Sequence, residues 1–256
     1  VSMETPLAEN AAVSSPPGDL FVALDGDNSD GHAYVGQAFE AGAAAALVSR
    51  PTEAMRAAGP LLIVEDTLAA LQALGKAARA RTKAKVIAVT GSVGKTGTKE
   101  ALLHIFAGQG QAHASAASYN NHWGVPLSLA RMPAETEFGI FEIGMNHAGE
   151  ITPLSKMVEP DVAIITTVEP VHLEFFNSVE EIADAKAEIF AGLKAGGTAI
   201  LNRDNPHFAR LKAVAEKVPN VRLLSFGSDE AADIHLEKSC CMKPVPASAL
   251  PLRARA

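Results

Sequence analysis

The sequence predicts an α/β fold made of a small N-terminal α/β domain and a larger central domain with a mostly parallel sheet. Short apolar, often β-branched runs alternate with segments of helical apolar period, and this alternation is typical of βαβ units. A glycine-rich loop ending in Lys-Thr stands between one such run and a helical segment. The length of 256 residues, 48% of them apolar and 20% charged, suits two globular domains.

The N-terminal domain is predicted over residues 1–82. Its strands are expected at 20–24, after the turn Pro17-Gly18-Asp19, and at 45–48 and 61–64. Its helices are expected at 30–39, where Gly42 stops the helix, and at 67–80. A basic stretch follows, formed by Arg79, Arg81, Lys83 and Lys85. It is either a hinge between the domains or a solvated helix end, where cations suit the helix dipole.

The central domain is predicted over residues 83–236. Its strands are expected at 86–89, 138–143, 162–166 and 198–201, and its helices at 96–106, 150–158 and 179–193. Strands separated by helices require right-handed crossovers and give a parallel sheet. The tail, 237–256, shows no strand or helix period, and its adjacent Cys240 and Cys241 suit neither a structural disulfide nor a zinc site.

Composition narrows the possible partners and location. Acidic residues exceed basic ones by 29 to 22, which gives a net charge of −7 and no support for a nucleic-acid-binding surface. The longest apolar runs fall far short of the ~20 residues that span a bilayer, and the N-terminus does not resemble a secretory signal. We therefore expect a cytoplasmic protein with no nucleic-acid partner and no membrane span.

The strongest chemical signal is a phosphate-loop pattern, Thr90-Gly91-Ser92-Val93-Gly94-Lys95-Thr96. Glycines let backbone N–H groups approach phosphate oxygens, the lysine reaches the β- and γ-phosphates, and the threonine hydroxyl ligates magnesium. The common pattern has a further glycine at the position of Val89, so only its Gly-x-x-Gly-Lys-Thr core is present. The other interpretation is a glycine-rich turn with an incidental lysine. The order of strand, loop and helix favours a central P-loop ATPase domain.

Two residues are expected at the same sheet edge as this loop, because the carboxyl ends of parallel strands meet there. Glu142 ends an apolar strand run, where a carboxylate is costly unless paired or bound to metal. It is a magnesium ligand or a surface glutamate on an edge strand. His172 follows the run at 162–166 and contacts metal or phosphate, or is a hydrogen-bonded structural histidine.

Lys186 is predicted to face inward. Ser178 and Glu181 form a capping-box signature, and Lys186 then falls on the apolar face of the helix that begins at Val179. It either snorkels to the rim or is functional. A desolvated lysine has a lowered pKa and a nucleophilic amine, which is open to chemical modification.

The segment Asn120-Asn121-His122-Trp123-Gly124 precedes an apolar run at 125–129. Its amides and indole line a nucleotide or substrate site, or they are turn residues.

Taken together, these stretches resemble the Mur ligase family over about residues 16–234. The resemblance is carried by residues 17–24, 30–32, 90–96, 120–126, 142–150, 172–174 and 185–190. It implies an ATP-dependent amide ligase of peptidoglycan synthesis that joins D-alanyl-D-alanine to UDP-MurNAc-tripeptide through an acyl phosphate. It also implies that the N-terminal domain binds UDP-MurNAc-peptide, and we expect a monomer.

The resemblance implies roles for individual residues. The loop Thr90 to Thr96 would hold ATP with Lys95 on its phosphates, and Asn120 and Asn121 would belong to the same cofactor-binding site. Two Mg²⁺ ions are implied, the first held by Thr96 and Glu142 and the second by His172. Lys186 would be carbamylated and would help to hold the second ion. Catalysis is then assigned to Lys95, His172 and Lys186.

Three departures from the family pattern stand out. Ala11-Ala12-Val13 replaces an Asp-Ser-Arg-like triplet of the UDP-sugar site, and Gly97 replaces a usual threonine. The resemblance does not extend to the family's third, C-terminal domain. One alternative is therefore a truncated, non-catalytic remnant that binds ATP and magnesium. Another is a related Mur or folylpolyglutamate-type ligase.

Overall fold

The computed structural model describes residues 18–26, 29–116, 119–171 and 174–237. Within these ranges the chain forms a three-stranded sheet and a seven-stranded sheet. All neighbouring strands in both sheets run parallel. The predicted α/β class with a mostly parallel sheet is confirmed. The substituted triplet at 11–13 and the tail from 238 onward lie outside the described residues.

The three-stranded sheet has the order β1-β2-β3. Its strands are β1 (Leu20–Val22), β2 (Ala45–Val48) and β3 (Leu61–Ile63). A 3₁₀ turn (Gly31–Tyr34) leads into α1 (Val35–Glu40), and α2 (Glu53–Ala58) and α3 (Thr67–Arg81) follow. The helix predicted at 30–39 thus begins as a 3₁₀ turn. Helix α2 was not predicted, because it is only six residues long and none of its side chains is fully buried.

The seven-stranded sheet has the order β10-β9-β8-β7-β4-β6-β5. In chain order its strands are β4 (Lys85–Thr90), β5 (Ala112–Ala114), β6 (Phe138–Glu142), β7 (Val162–Ile165), β8 (Thr198–Asn202), β9 (Arg222–Gly227) and β10 (Ile234–His235). Strand β4 lies between β6 and β7. It is therefore flanked by the two strands whose ends were predicted to carry the site.

Helices cover both faces of this sheet. They are α4 (Lys95–Ala107), α5 (Gly124–Ala130), α6 (Ile151–Val158), α7 (Val179–Ala187) with a 3₁₀ extension (Glu188–Gly192), and α8 (Phe208–Ala215). Helix α4 lies on one face, where Leu102, Leu103 and Phe106 pack on the sheet. The larger core on the other face includes residues of α5, α6, α7 and α8. The fold is thus a three-layer arrangement around a buried sheet.

Arg79 corrects one interpretation of the basic stretch. Its side chain is buried, and its guanidinium donates hydrogen bonds to Val158 O at 2.7 Å and to Glu159 O at 3.0 Å. These carbonyls stand at the C-terminal end of α6, where a cation complements the helix dipole. For Arg79 the solvated helix end is therefore wrong, whereas Lys83 and Lys85 are exposed. Along the described part of the chain, no helix combines the length and apolarity needed to span a membrane.

Candidate nucleotide and metal site

The candidate site lies at the carboxyl edge of the seven-stranded sheet. The phosphate loop follows β4, Glu142 is the last residue of β6, and Thr166 directly follows β7. In parallel α/β sheets ligands bind at this edge, where crossovers leave in opposite directions. Here α4 leaves β4 toward one face and α6 leaves β6 toward the other. The loop therefore begins at the point in the strand order where ligands typically bind, between the ends of β6 and β7.

The phosphate loop is held in shape by the segment after β7. Gly91 and Gly94 have φ angles of 146° and 86°, which favour glycine. Thr166 Oγ1 donates to Val93 O at 2.6 Å, and Ser92 N donates to Thr167 O at 2.9 Å. A Cβ at Gly91 would collide with Thr166 Oγ1. The loop thus keeps its conformation through hydrogen bonds with the segment after β7, which also include a pair between Ser92 and Glu169.

The start of α4 is suited to an anion. Gly94 stands at its N-cap in a left-handed conformation, with no side chain accepting from the first turn. Free N–H groups and the helix dipole favour a phosphate there. Lys95 Nζ donates to Gly91 O at 2.9 Å, so the ammonium lies along the loop. Burial lowers the pKa of Lys95, while the charge of Glu142 opposes this shift.

Thr96, Glu142 and Asn120 form a connected polar group. Thr96 Oγ1 donates to Glu142 Oε2 at 2.9 Å, and Asn120 Nδ2 donates to Glu142 Oε1 at 2.7 Å. Glu142 is only 1% exposed. The interpretation of Glu142 as a surface glutamate is therefore wrong. A hydroxyl and a carboxylate oxygen beside a phosphate loop are the ligands that Mg²⁺ prefers, so this oxygen pair fits the ion.

Lys186 faces inward as predicted. It is 3% exposed, and its amine makes neither a hydrogen bond nor an ion pair with any described residue. Burial and, secondarily, the charge of Lys95 lower the pKa of Lys186 to about 8. The predicted cap is present, since Glu181 N donates to Ser178 Oγ at 3.3 Å. The helix predicted to 193 tightens into a 3₁₀ turn after Ala187.

The two neighbouring asparagines point to different partners. Asn120 binds Glu142, as described above. Asn121 Oδ1 instead accepts from Gly124 N at 2.9 Å, at the start of α5. The structure therefore brings Lys95, Thr96, Asn120, Glu142 and Lys186 to one edge, and it leaves Asn121 as a backbone cap. His172 lies outside the residues that the structure describes.

Two residues of the site were missed by the sequence interpretation. Thr166 was assigned only to a strand end, and its role as the anchor of the loop depends on a partner distant in sequence. Lys99 is 0% exposed and donates to Ser115 O at 2.8 Å. In sequence it precedes a glutamate in an amphipathic helix and gives no sign of being buried. A hydroxyl next to a parallel strand end was the one available signal for Thr166.

A second polar cluster lies in the three-stranded part of the fold. Among the described residues, Asp25, Asp30 and His32 are close enough to share an ion. However, Arg50 donates to Asp25 at 2.6 Å and to Asp30 at 2.8 Å, and His32 Nε2 accepts from Ser49 N at 2.9 Å. Arg50 therefore already pairs with both carboxylates, and both ring nitrogens of His32 are hydrogen-bonded. The cluster connects the end of β2 to the turn after β1 and is structural.

The fold and loop define a P-loop protein of the α/β class. The sequence-family model of the Mur ligase middle domain matches residues 89–245. The family model of the Mur ligase catalytic domain matches residues 11–79. The chain belongs to the Mur ligase family. It is 41% identical over 219 residues to the UDP-N-acetylmuramoyl-tripeptide–D-alanyl-D-alanine ligase of Rickettsia prowazekii, covering 86% of this chain and 48% of the relative.

Solved structures give the same result. MurF from Acinetobacter baumannii is 36% identical with a TM-score of 0.74, over 83% of this chain and 46% of that one. MurF from Thermotoga maritima in complex with ADP is 30% identical with a TM-score of 0.71, over 83% of this chain and 48% of that one. The chain therefore spans about half the length of the proteins that it matches.

Proposed function

We propose that this chain carries the nucleotide and metal centre of an ATP-dependent ligase that joins D-alanyl-D-alanine to UDP-MurNAc-tripeptide. The observation that carries this proposal is the hydrogen bond between Thr96 and the buried Glu142 beside the phosphate loop. The relatives are ligases of this specificity by name. We further assign binding and cleavage of ATP to the domain at residues 83–236, and binding of UDP-MurNAc-peptide to the domain at residues 1–82.

The chemistry is an activation followed by an aminolysis. An oxygen of the tripeptide carboxylate attacks the γ-phosphorus of ATP, the bond to the β-γ bridging oxygen breaks, and ADP leaves. The amine of the dipeptide then attacks the acyl carbon, inorganic phosphate leaves, and the amine loses a proton. Lys95 and the α4 N-terminus would hold the phosphates and offset the charge that builds on the leaving oxygen.

Magnesium would be held by Thr96 and Glu142, and when bound it would neutralise phosphate charge. Asn120 would orient the Glu142 carboxylate by its hydrogen bond to Oε1. We assign a second ion to His172 and Lys186 on the family resemblance.

Lys186 is proposed to be carbamylated. Its neutral amine attacks CO₂, and the product is a carbamate with release of one proton. With a pKa of about 8, about one tenth of the amine is neutral at pH 7, and the neutral amine is the nucleophile. The new carboxylate would supply the anion that a cation site needs. Lys186→Ala is expected to reduce turnover, and added bicarbonate is not expected to restore it.

Phosphate release from ATP tests the function. It would be measured with Mg²⁺ and UDP-MurNAc-tripeptide, with and without D-alanyl-D-alanine, and with Lys95→Met as the inactive control. Release that depends on the dipeptide supports the ligase. Binding of ADP without any release would identify a nucleotide-binding remnant and overturn the proposal.

A further inference from the structure

Lys99 is a buried cation that the proposed chemistry does not use. It lies one turn after Lys95 in α4 and is 0% exposed. Its ammonium donates to Ser115 O at 2.8 Å and lies 3.0 Å from Glu100 Oε1. Burying an ammonium costs several kcal/mol unless partners compensate. A methionine would fill the same space without this cost, so the charge needs an explanation beyond packing.

Ser115 connects Lys99 to the candidate metal ligand. It follows β5 and is 2% exposed, and its N–H donates to Ile140 O at 3.1 Å in β6. Its hydroxyl oxygen accepts from the backbone N–H of Glu142 at 3.3 Å. One serine is thus bound at its carbonyl by Lys99 and at its hydroxyl by Glu142.

The segment that follows Ser115 contacts Glu142 a second time. Asn120 Nδ2 donates to Glu142 Oε1, and Asn120 O accepts from Gly144 N at 2.8 Å. Backbone and carboxylate of Glu142 are therefore both held by the connection between β5 and α5. Lys99 donates to the carbonyl of Ser115, the first residue of that connection.

We propose that Lys99 is a positioning residue, which fixes Glu142 for a divalent cation by way of Ser115. The inference rests on the proposed function, because it takes Thr96 and Glu142 as the magnesium ligands. It adds a residue that contacts neither nucleotide nor ion. Residues that orient metal ligands in this way typically change metal affinity 10- to 100-fold when they are replaced.

The test compares the affinity for ADP in Mg²⁺ and in EDTA by calorimetry, well below the melting temperature of each variant. The dissociation constant in EDTA divided by that in Mg²⁺ gives the factor by which the ion tightens ADP binding, and this factor is called the coupling ratio. Lys99→Met is expected to reduce this ratio about tenfold and to leave the affinity in EDTA unchanged. A lysine that only supports packing would lower the melting temperature and leave the ratio intact, which would overturn the inference.

Further variants test whether the effect belongs to Lys99 and Ser115 or follows from any change of surface charge. Glu100→Gln removes the exposed partner of Lys99, and Lys156→Met removes an exposed lysine of α6; both should keep the ratio. Ser115→Ala removes the hydroxyl that accepts from Glu142 N and should lower the coupling ratio. The double variant of Lys99 and Ser115 should be less than additive, because both act through one connection. Additive losses would contradict the mechanism.

The outcomes distinguish this inference from the ligase proposal. A lower coupling ratio in Lys99→Met than in the unsubstituted chain supports the inference, even if the unsubstituted chain releases no phosphate. An unsubstituted chain that binds ADP equally with and without Mg²⁺ overturns it. If Lys99→Met does not fold, Ser115→Ala decides: a lowered ratio supports the inference, and a normal ratio overturns it.

Discussion

The hydroxyl of Thr166 occupies the space that a side chain at Gly91 would need. Thr166 Oγ1 donates to Val93 O at 2.6 Å, and a Cβ at position 91 would overlap it. The loop after β4 and the end of β7 therefore constrain each other. Because Gly91 also has a φ of 146°, both its conformation and its surroundings exclude larger residues.

Two glycine substitutions should have effects of opposite sign. Gly91→Ala is expected to lower the free energy of unfolding by about 1–3 kcal/mol and to abolish ADP binding. Gly97 lies in α4, and a Cβ added there would meet open space. Gly97→Ala should therefore raise the free energy of unfolding by up to about 1 kcal/mol. Urea unfolding and ADP calorimetry measure both. Equal effects of the two substitutions would contradict the loop geometry.

Aspartate should be tolerated at one of the adjacent asparagines and not at the other. Asn120 donates to Glu142, so Asn120→Asp places two carboxylates together and raises the pKa of the pair. Because the folded state then holds a proton that the unfolded state loses above about pH 4, the variant should lose about 1–3 kcal/mol by pH 8 and much less at pH 4.

Asn121→Asp is the matched control. Asn121 uses only its oxygen toward Gly124 N, which a carboxylate replaces, and a negative charge suits the start of α5. Urea unfolding of both variants at pH 4 and pH 8 separates the two cases. A pH-dependent loss in Asn121→Asp, or none in Asn120→Asp, would contradict the assignment.

Lys186 should destabilise the ligand-free chain below pH 8. Its pKa is lowered from 10.5 to about 8, chiefly by burial. The unfolded chain therefore binds more protons between these values, so stability rises with pH across that interval. The cost of the buried charge is complete below pH 8 and is lost as the pH passes 10.5.

Lys186→Met removes this cost. It is expected to raise the free energy of unfolding by up to about 3 kcal/mol at pH 7, with a difference from the unsubstituted chain that shrinks toward pH 10.5. The measurement is urea unfolding in CO₂-free buffer, with the more exposed Lys212→Met as control. A difference that does not vary with pH would mean that Lys186 is not charged and buried in the folded chain.

Arg79 should contribute more to stability than its position in a basic stretch indicates. Arg79→Met leaves the Val158 carbonyl at the end of α6 without its buried donor, and such a loss costs about 1–3 kcal/mol. Lys83→Met, in the same stretch but exposed, should change stability by less than about 0.5 kcal/mol. Thermal unfolding of both variants provides the comparison.

The sequence supports prediction of the site where local pattern and strand order coincide. Lys95 and Thr96 follow from the loop, and Glu142 and Lys186 from charged residues placed where apolar ones belong. Thr166, Ser115 and Lys99 escape prediction because their roles depend on contacts between segments distant in the chain. Helix α8 and strand β9 were missed as well, since short, partly exposed elements carry weak periodicity.

The all-parallel strand order also determines when the site forms. Each neighbouring pair requires a crossover, and β4 acquires β6 and β7 only after long stretches of chain have been made. Contacts between such distant segments form slowly. During synthesis, a nascent chain should therefore be unable to capture ADP until β7 and Thr166, which holds the phosphate loop, have left the ribosome. Nucleotide binding is thus a reporter of pairing among β4, β6 and β7, the three central strands that carry the loop and Glu142.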